Sequence, residues 1–395
     1  MKRLFFLLFV ATMLLSPLLD GMDFNTWETC LATAGRQDCV LTPGSYTINQ
    51  TLVLAAGVKI SGGGVLPSST LLTRDLNFTG TLISVPVGIS ASIENLKVNG
   101  NRTDQYQCPS ANLTSYEIVV SGYATISGVD FEDSRGSSLV LSNGSVVNSS
   151  FYNSRSTGMW IYQGQVSNSD FEYNGTAAIN AAGTGTKTIS GNYFYMNRYE
   201  MPDGSGGGQV YINFDAANTL VTNNTIDGAG WVIPSYYTTS TNGCPLTAYG
   251  QRVFGIEVEP RSSQNQIYTN EIIGHTASGI VANAVYGLTI SGYDRVACPY
   301  TYCSPRYIHD NLTTPWSSGG IEILYHYIDP NTLQDYYTSG LVLDSILSRY
   351  NTGVAVNVEQ GSAGSGWTGN HCLYYGYNTS TNLTNQYPAT TTSCP

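Results

Sequence analysis

A repeated spacing of apolar residues between Ile126 and Val354 constrains the fold of this chain more than any other feature. In six segments, an apolar residue is followed three positions later by Ser, Asn, Asp or Val and thirteen positions later by a second apolar residue. The fifth position after the first is also apolar in all but one of them. A repeat of this length predicts a solenoid, in which each coil packs only against its neighbours. The segments are Ile126, Val129, Phe131, Leu139; Val146, Ser149, Phe151, Met159; Val166, Ser169, Phe171, Ile179; Ile267, Asn270, Ile272, Ile280; Ile308, Asn311, Thr313, Ile321; Leu341, Asp344, Ile346, Val354; and, with a longer second half, Ile189, Asn192, Phe194 and Val221, Asn224, Ile226.

The composition favours stacked β-coils. Charged residues make up 11% of the chain, against roughly a quarter in ordinary globular domains. Gly, Ser, Thr, Asn and Tyr are abundant instead. Neighbouring coils satisfy each other's backbone, Gly and Asn form the corners, and hydroxyl and amide side chains face solvent. The chain is therefore expected to be all-β.

Several short motifs resemble those of one known superfamily. They are a PGSYTI start at 43–48, a Gly-Ile-x-Val strand at 255–258, and corners such as SGNYF at 190–194, TNNTI at 222–226 and YTNEI at 268–272. These motifs resemble the right-handed parallel β-helix of the pectate-lyase-like superfamily over nearly the whole mature chain. The resemblance implies a single-stranded right-handed parallel β-helix and does not define the reaction. It also implies a structural ladder of stacked polar side chains at the corners, formed by Ser149, Ser169, Asn192, Asn224, Asn270, Asn311 and Asp344.

The two ends of the chain differ from the repeat. Residues 1–20 begin with a charged start and continue as a short apolar run, which predicts a cleaved secretory signal peptide, with an uncleaved membrane anchor as the alternative. The single β-helix domain would then be 21–395. Within it we expect a capping helix at about 23–35 with Asn25 or Thr26 as N-cap, coils from about 45 to 360, and a capping tail over 361–395.

The eight cysteines agree with export, because an even number in a secreted chain usually means disulfides. The expected pairs are Cys30 with Cys39 and Cys298 with Cys303, then Cys372 with Cys394 and Cys108 with Cys244. The connectivity stays open, since eight cysteines allow about 105 pairings. No metal site is expected, because there is no C-x-x-C and the chain has four His.

The net charge of −11 argues against nucleic acid as a partner. An anionic polysaccharide would also be repelled unless Ca²⁺ intervened. We expect the protein to be secreted and extracellular, with the periplasm or the cell surface as alternatives, and not to remain on the membrane after cleavage.

One sheet of the solenoid is predicted to carry the functional groove. Strand alternation points alternate residues away from the core. Insertions at roughly 195–208 and 227–254 precede this strand, and others at 284–306 and 325–340 follow it, so they border the same sheet as walls. The outward pairs on successive coils are Trp160 and Tyr162, Ala178 and Asn180, Tyr211 and Asn213, Glu257 and Glu259, Val281 and Asn283, Glu322 and Leu324, and Ala355 and Asn357.

Acidic residues in this groove are the candidate catalytic groups. Glycoside hydrolysis needs two carboxyl groups. Glu257 and Glu322 lie two coils apart in one column, about 9.6 Å by strand spacing, which suits an inverting pair. Asp215 and Glu259 on adjacent coils are a second candidate pair. Each acid alone is equally consistent with a solvated side chain on an exposed strand.

Other groove residues are candidates for substrate binding. Trp160, Tyr162 and Tyr211 are placed to stack on sugar rings. Asn213 and Asn283 offer amides from the same strands. Arg252 flanks the Glu257 strand, and His326 opens the insertion after the Glu322 strand.

Three functions remain open at this stage. The first is a polysaccharide-cleaving glycoside hydrolase that uses paired carboxylates and no cofactor. The second is a Ca²⁺-dependent polysaccharide lyase or epimerase, which would need a basic residue facing Glu257 or Asp215. The third is a non-catalytic glycan-binding or structural solenoid. The Asn-Thr-Asp, Asp-Asp, Gly-His-Gly and Arg-x-Lys motifs of polygalacturonase-like members do not occur in the chain.

Overall fold

The protein is described by a computed structural model, which covers residues 21–35, 37–102, 115–197, 207–228, 253–275, 277–292, 308–309, 319–324, 326–344, 347–349, 354–358, 368–370, 374–376 and 383–384. The predicted signal peptide lies outside these residues. So do Arg252, Asn311 and the cysteines of three of the four predicted pairs.

The described chain winds into coils whose strands form three parallel sheets, here numbered 1 to 3, with strands numbered in chain order. Sheet 1 is a 12-stranded sheet among the described residues. Sheets 2 and 3 are the two halves of a second, bent sheet. Sheet 1 contains β3 (Leu52–Val53), β6 (Ile83–Val85), β8 (Tyr116–Val120), β10 (Ser137–Leu141), β13 (Met159–Ile161), β16 (Ile179–Ala181), β19 (Gly207–Ile212), β22 (Val253–Val258), β25 (Ile280–Asn283), β28 (Gly319–Leu324), β33 (Val354–Val358) and β36 (Leu383–Thr384).

Each coil contributes one strand to sheet 2 and one to sheet 3. Sheet 2 contains β1 (Asp38–Leu41), β4 (Lys59–Gly62), β11 (Gly144–Val147), β14 (Gly164–Ser167), β17 (Lys187–Ser190), β20 (Thr219–Thr222), β23 (Gln266–Tyr268), β26 (Thr289–Ser291), β31 (Val342–Asp344) and β34 (Thr368–Asn370). Sheet 3 contains β2 (Gly44–Ile48), β5 (Thr70–Arg74), β12 (Ser150–Tyr152), β15 (Asp170–Glu172), β18 (Tyr193–Tyr195), β21 (Thr225–Asp227), β24 (Glu271–Ile273), β27 (Ile308–His309), β32 (Leu347–Arg349) and β35 (Tyr374–Gly376). Strands β7 (Ser90–Asn99) and β9 (Tyr123–Glu132) run through both sheets, and β29 (His326–Ile328) and β30 (Asp335–Tyr337) form an antiparallel hairpin.

The sequence repeat corresponds to these three sheets. Its first apolar residue lies in sheet 2, as Val146 does opposite Val166. The residue five later lies in sheet 3, where Phe131, Phe151, Phe171 and Phe194 stack inside the coils with ring centroids 4.5 to 5.2 Å apart. The residue thirteen later lies in sheet 1, as Met159 does opposite Ile179. All three point into one continuous core, and the prediction of a parallel β-helix is confirmed.

The bend between sheets 2 and 3 has a left-handed backbone at one position in seven of the described coils. Asn and Gly tolerate this conformation better than other residues, because the Cβ clash is absent in Gly and offset by local hydrogen bonding in Asn. They occupy the bend at all but one of the coils where it is seen. The residues are Asn95, Gly128, Asn148, Asn168, Gly191, Asn223 and Thr269, with φ from 49° to 66°.

The predicted polar ladder is present directly after this bend. The backbone N–H of Asn192 donates to Oδ1 of Asn224 at 2.9 Å, and the N–H of Asn224 donates to Oδ1 of Asn270 at 3.1 Å. Ser169 and Ser149 continue the ladder in the preceding coils. Each rung satisfies a buried backbone donor, so these residues are structural.

We expect Asn224→Ala to lower the free energy of unfolding by about 2 to 3 kcal/mol. The change leaves the buried N–H of Asn192 and the carbonyl of Ile189 without partners. Asn224→Ser should cost less, because Ser149 and Ser169 fill the same position. Denaturant unfolding of the three proteins checks this, and equal losses for Ala and Ser would contradict it.

A second ladder, which the sequence did not reveal, lies between sheets 3 and 1. Asn174 N donates to Oδ1 of Asn197 at 3.1 Å, and Asn197 N donates to Oε1 of Gln209 at 3.1 Å. The Gln209 amide is thereby oriented, so its nitrogen donates to Nε2 of His275 at 2.9 Å. His275 is fully buried.

A short helix closes the N-terminal end of the core, as predicted. Helix α1 (Phe24–Leu31) is shorter than expected. Its N-cap is Asp23 instead of Asn25 or Thr26, because Oδ1 of Asp23 accepts a hydrogen bond from the N–H of Thr26. Its Trp27 is fully buried and donates from the indole N–H to the carbonyl of Cys39 at 3.0 Å. Cys30 and Cys39 form the predicted disulfide. A 3₁₀ turn at Pro67–Ser69 is the other short helical element described, and none of the described helices is long and apolar enough to cross a membrane.

Lys187 is buried at the corner between sheets 1 and 2. Its Nζ donates to the carbonyl oxygens of Gly183, Gly185 and Ala217 at 2.6 to 2.9 Å. Burial lowers the pKa of Lys187 from 10.5 to about 8. Between these values the unfolded chain binds more protons than the folded chain, so stability at this group rises with pH.

We therefore expect wild type to gain stability relative to Lys187→Met when the pH is raised from about 7 to about 10, by no more than about 3 kcal/mol. Comparing the two proteins cancels the titration of other groups. Urea unfolding at both pH values checks the prediction. A gap that stays constant or narrows would contradict it.

Candidate functional site

The outward side chains of sheet 1 form a column that contains two carboxylates. The strand register aligns Glu257 with Val281, and Val281 with Glu322. Glu257 and Glu322 thus lie two strand spacings apart, about 9.6 Å at the backbone. Along the same register the column reads Trp160, Asn180, Tyr211, Glu257, Val281, Glu322 and Asn357.

Two members of this column differ from the sequence prediction. Asn180 and Asn357 occupy it, where Ala178 and Ala355 were expected. A shift of two residues along a strand keeps the same face outward, so alternation alone does not reveal it. The shift places an amide between Trp160 and Tyr211.

Glu257 is half-buried and held by the backbone. Its Oε2 accepts a hydrogen bond of 2.8 Å from the N–H of Gly208 on the preceding strand. A Cβ at Gly208 would lie 2.6 Å from Glu257 N and 2.5 Å from Val210 O, so only glycine allows this approach. A hydrogen bond from a backbone N–H favours the ionised form of a carboxyl group.

Glu322 has a different environment. It is 7% exposed, and its Oε2 accepts a hydrogen bond of 3.1 Å from the hydroxyl of the buried Ser278. Its neighbour in the column, Val281, packs in a small apolar cluster with Phe254 and Ala277. Burial beside apolar side chains favours the protonated form of a carboxyl group, and the hydrogen bond from Ser278 opposes this effect.

The second predicted acid pair is separated by other contacts. Asp215 forms an ion pair with Arg261, and Oε1 of Glu259 accepts a hydrogen bond of 2.7 Å from the hydroxyl of Tyr211. Asp215 thus balances a cation, and Glu259 is held by a tyrosine in the Glu257 column.

The hairpin of β29 and β30 borders sheet 1 and reaches back over three coils. Asp329 Oδ2 lies 2.9 Å from Arg261 Nη1, beyond the end of β22. Tyr327 contacts Phe214, beyond the end of β19, at 5.7 Å between ring centroids. The pKa of Asp329 is lowered, first by the backbone N–H of Asn331 and with a smaller effect from Arg261. These contacts attach the hairpin to the segments that follow β19 and β22.

The predicted substrate-binding residues lie in several environments. Trp160 is half-buried in the column, and Tyr162 is 40% exposed two residues later. Burial raises the pKa of Tyr162, with a smaller effect from Tyr116. His326 lies on the hairpin, with Nε2 2.9 Å from Asp335 Oδ1 and its ring stacked on Tyr337.

Asn213 and Asn283 are both half-buried but differ in their contacts. Oδ1 of Asn213 accepts from the N–H of Phe214 and shapes the turn after β19. Oδ1 of Asn283 is buried without a hydrogen-bond partner. The buried Oδ1 of Asn180 also lacks a partner, and this residue was not among the predicted site residues.

Among the described residues, no cluster of three or more His, Cys, Asp or Glu is arranged to hold a metal ion. The acids of sheet 1 are separated by Val281 and engaged by Tyr211, Ser278 and the Gly208 backbone. The arrangement can move protons and bind hydroxyl groups.

Comparison with known proteins identifies the fold. A family model described as "Right handed beta helix region" matches residues 117–294, whereas no curated protein sequence matches the chain. The A-module of the Azotobacter vinelandii mannuronan C-5 epimerase AlgE4 has a similar structure, with a TM-score of 0.61 at 13% identity over 94% of this chain and 95% of that chain. The periplasmic alginate epimerase AlgG gives 0.55 at 12% identity over 92% and 85%. The catalytic unit of a GH87 α-1,3-glucanase from Streptomyces thermodiastaticus gives 0.51 at 12% identity over 92% and 66%. At such identities the likeness extends to the fold alone, and the chain is a right-handed parallel β-helix protein.

Proposed function

We propose that this protein is a glycoside hydrolase that cleaves a polysaccharide with inversion at the anomeric carbon. The observation that carries the proposal is the placement of Glu257 and Glu322 in one column, separated by Val281. Their backbone separation of about 9.6 Å is close to the range of roughly 6.5 to 9.5 Å between the carboxyl groups of inverting enzymes.

The two environments support different roles for the two acids. Glu322, buried beside apolar groups, is the general acid and gives its proton to the glycosidic oxygen as the C–O bond breaks. Glu257, which accepts a hydrogen bond from the Gly208 N–H, is the general base. It takes a proton from a water molecule whose oxygen bonds to the anomeric carbon. One bond breaks, one water is consumed, and one new reducing end forms.

Two further observations support a polysaccharide as the substrate. Sheet 1 is a long parallel sheet bordered by the hairpin, and Trp160 and Tyr211 lie along it. Proteins of the same fold are named for acting on mannuronan, alginate and α-1,3-glucan, although fold alone does not define a reaction. We further propose that the protein acts outside the cytoplasm, because its N-terminal sequence is typical of a signal peptide.

A Ca²⁺-dependent lyase or epimerase is the second candidate, and the ion pair of Arg261 with Asp215 favours it, because that chemistry needs a basic residue near an acid. However, Arg261 is also held by Asp329 and lies over the rings of Phe214 and Tyr336 at 5.9 and 5.4 Å. Through these contacts Arg261 holds the hairpin in place, so we place this candidate second.

The test is an activity screen of the purified protein on neutral and acidic polysaccharides, with and without a Ca²⁺ chelator. New reducing ends, no ultraviolet absorbance from an unsaturated product, and inverted anomers by NMR are expected. An absorbance rise that the chelator abolishes would replace the hydrolase with a lyase. A change in uronic acid configuration without cleavage would indicate an epimerase. No reaction on any polysaccharide would leave a binding or structural solenoid.

A further inference from the structure

The amide oxygen of Asn180, Oδ1, is a buried polar atom without a hydrogen-bond partner. Asn180 as a whole is 7% exposed. Leaving such a group unpaired costs roughly 1 to 3 kcal/mol. Orphaned buried groups of this kind call for an explanation such as a ligand or a bound water.

The position of Asn180 indicates a ligand on sheet 1. Asn180 lies directly between Trp160 and Tyr211 on neighbouring strands. Both aromatic residues are half-buried and face outward in the same column. An aromatic, an amide and an aromatic at successive strand spacings combine ring-stacking surfaces with a hydrogen-bonding group, as sugar recognition requires.

Asn283 repeats the feature on the other side of Glu257. Its strand, β25, follows that of Glu257, whereas Asn180 lies two strands before it. Oδ1 of Asn283 is also buried without a partner. The two amides therefore flank the acid that is the proposed base.

We propose that Asn180, between Trp160 and Tyr211, forms a subsite for an uncharged sugar residue, so that the substrate is a neutral polysaccharide lying along the solenoid axis across Glu257. This inference rests on the proposed function for the site of cleavage. The amide oxygen accepts from a sugar hydroxyl once the side chain turns about its terminal torsion, which is broad and soft.

Charge supports the neutral class. Glu257, Glu259 and Glu322 are three acidic residues on the same face of the sheet. A uronate would add a further carboxylate there. Arg261, a cation beside the hairpin, is already paired with Asp215 and Asp329. A hydroxyl can donate to an orphaned oxygen, whereas a carboxylate cannot.

The test uses affinity electrophoresis of the full-length mature protein with Glu257→Gln and Glu322→Gln, so that the polysaccharide in the gel is bound and not cleaved. The gels contain β-glucan, xylan, galactomannan or dextran as neutral probes, and alginate or polygalacturonate as anionic probes. We expect retardation by at least one neutral probe and roughly tenfold weaker binding after Asn180→Ala.

A matched control separates binding from stability. Thr219, on sheet 2, also has a buried side-chain oxygen without a partner and is 1% exposed. Thr219→Val should leave binding unchanged, and both substitutions should keep or raise the melting temperature, because each removes an unpaired polar group. For a polar group that is retained to bind a ligand, substitution weakens binding while the melting temperature stays the same or rises.

Several outcomes would overturn the inference. Retardation by alginate or polygalacturonate alone would exclude a neutral ligand, and no retardation by any probe would exclude the subsite. A lower melting temperature in Asn180→Ala would show that water-mediated contacts make the amide structural. Neutral binding that depends on Asn180, without any cleavage by wild type, would retain the subsite and reject only the hydrolase.

Discussion

Glu322→Gln and Glu257→Gln are each expected to lower polysaccharide turnover by roughly 10²- to 10⁴-fold, the range that general acid–base catalysis contributes. Glutamine has nearly the same size as glutamate. Its amide oxygen can still accept the hydrogen bond from Ser278 or Gly208. It removes the transferable proton from the first residue and the basic oxygen from the second. The Michaelis constant should change little, because the lost interactions belong to the transition state.

The pH profile and the leaving group distinguish the two roles. Glu322→Gln should remove the alkaline limb of the rate profile, and Glu257→Gln the acidic limb. An aryl glycoside with a good leaving group, if cleaved by wild type, should restore much of the rate to Glu322→Gln, since its leaving oxygen needs no proton. It should not restore Glu257→Gln.

Glu271→Gln is the matched control, because Glu271 is a half-buried, outward glutamate on sheet 3, away from the column. Its turnover should equal that of wild type. If both column variants kept their activity, the acids of sheet 1 would not be the catalytic pair. If aryl glycosides rescued Glu257→Gln and not Glu322→Gln, the two roles would be reversed.

The fold was readable from the sequence because its core is periodic. Residues such as Val146, Phe151 and Met159 recur at fixed distances, since each must point inward at the same place in every coil. The corner residues recur for backbone reasons, and the Asn224 ladder follows from them. A ladder is difficult to recognise in the sequence when its members differ in residue type. For this reason the path from Asn197 through Gln209 to His275 was missed.

The candidate site was only partly readable. Alternation placed Glu257 and Glu322 on the outward face, and the parallel register puts them in one column. Alternation did not reveal the two-residue shift that brings Asn180 between Trp160 and Tyr211. Nor did it reveal the hairpin contacts, because Arg261 and Asp329 are distant in sequence and no repeat connects them.

A buried ion pair near the N-terminal end gives the largest expected effect on stability. Arg74 Nη2 lies 3.0 Å from Glu117 Oε2, and both side chains are fully buried. Arg74 also donates to the carbonyls of Phe78, Gly80 and Tyr116, while Ser134 donates to the other oxygen of Glu117 at 2.7 Å. One guanidinium thus connects a turn to two strands. Burial raises the pKa of Glu117, and Arg74 opposes that rise.

We expect Arg74→Met to lower the free energy of unfolding of the N-terminal coils by about 3 to 5 kcal/mol, because it leaves a buried carboxyl without its cation. The loss should be smaller at about pH 5 than at about pH 8. Without Arg74 the pKa of Glu117 rises further, so the folded variant holds a proton that the unfolded chain releases, and its stability falls as the pH increases above the ordinary value of 4.5.

Hydrogen exchange is the appropriate measurement, since solenoid coils are stabilised by their nearest neighbours and open locally. Faster exchange in Arg74→Met should centre on β5 and β8 and leave β23 unchanged. Glu94→Gln is the control, because the Lys59–Glu94 pair, at 3.0 Å, has side chains 43% and 34% exposed, and its loss should cost no more than about 1 kcal/mol. A similar small loss in both variants would show that the buried pair contributes no more than a surface one. A deficit that did not grow with pH would show that Glu117 is neutral in the wild-type core.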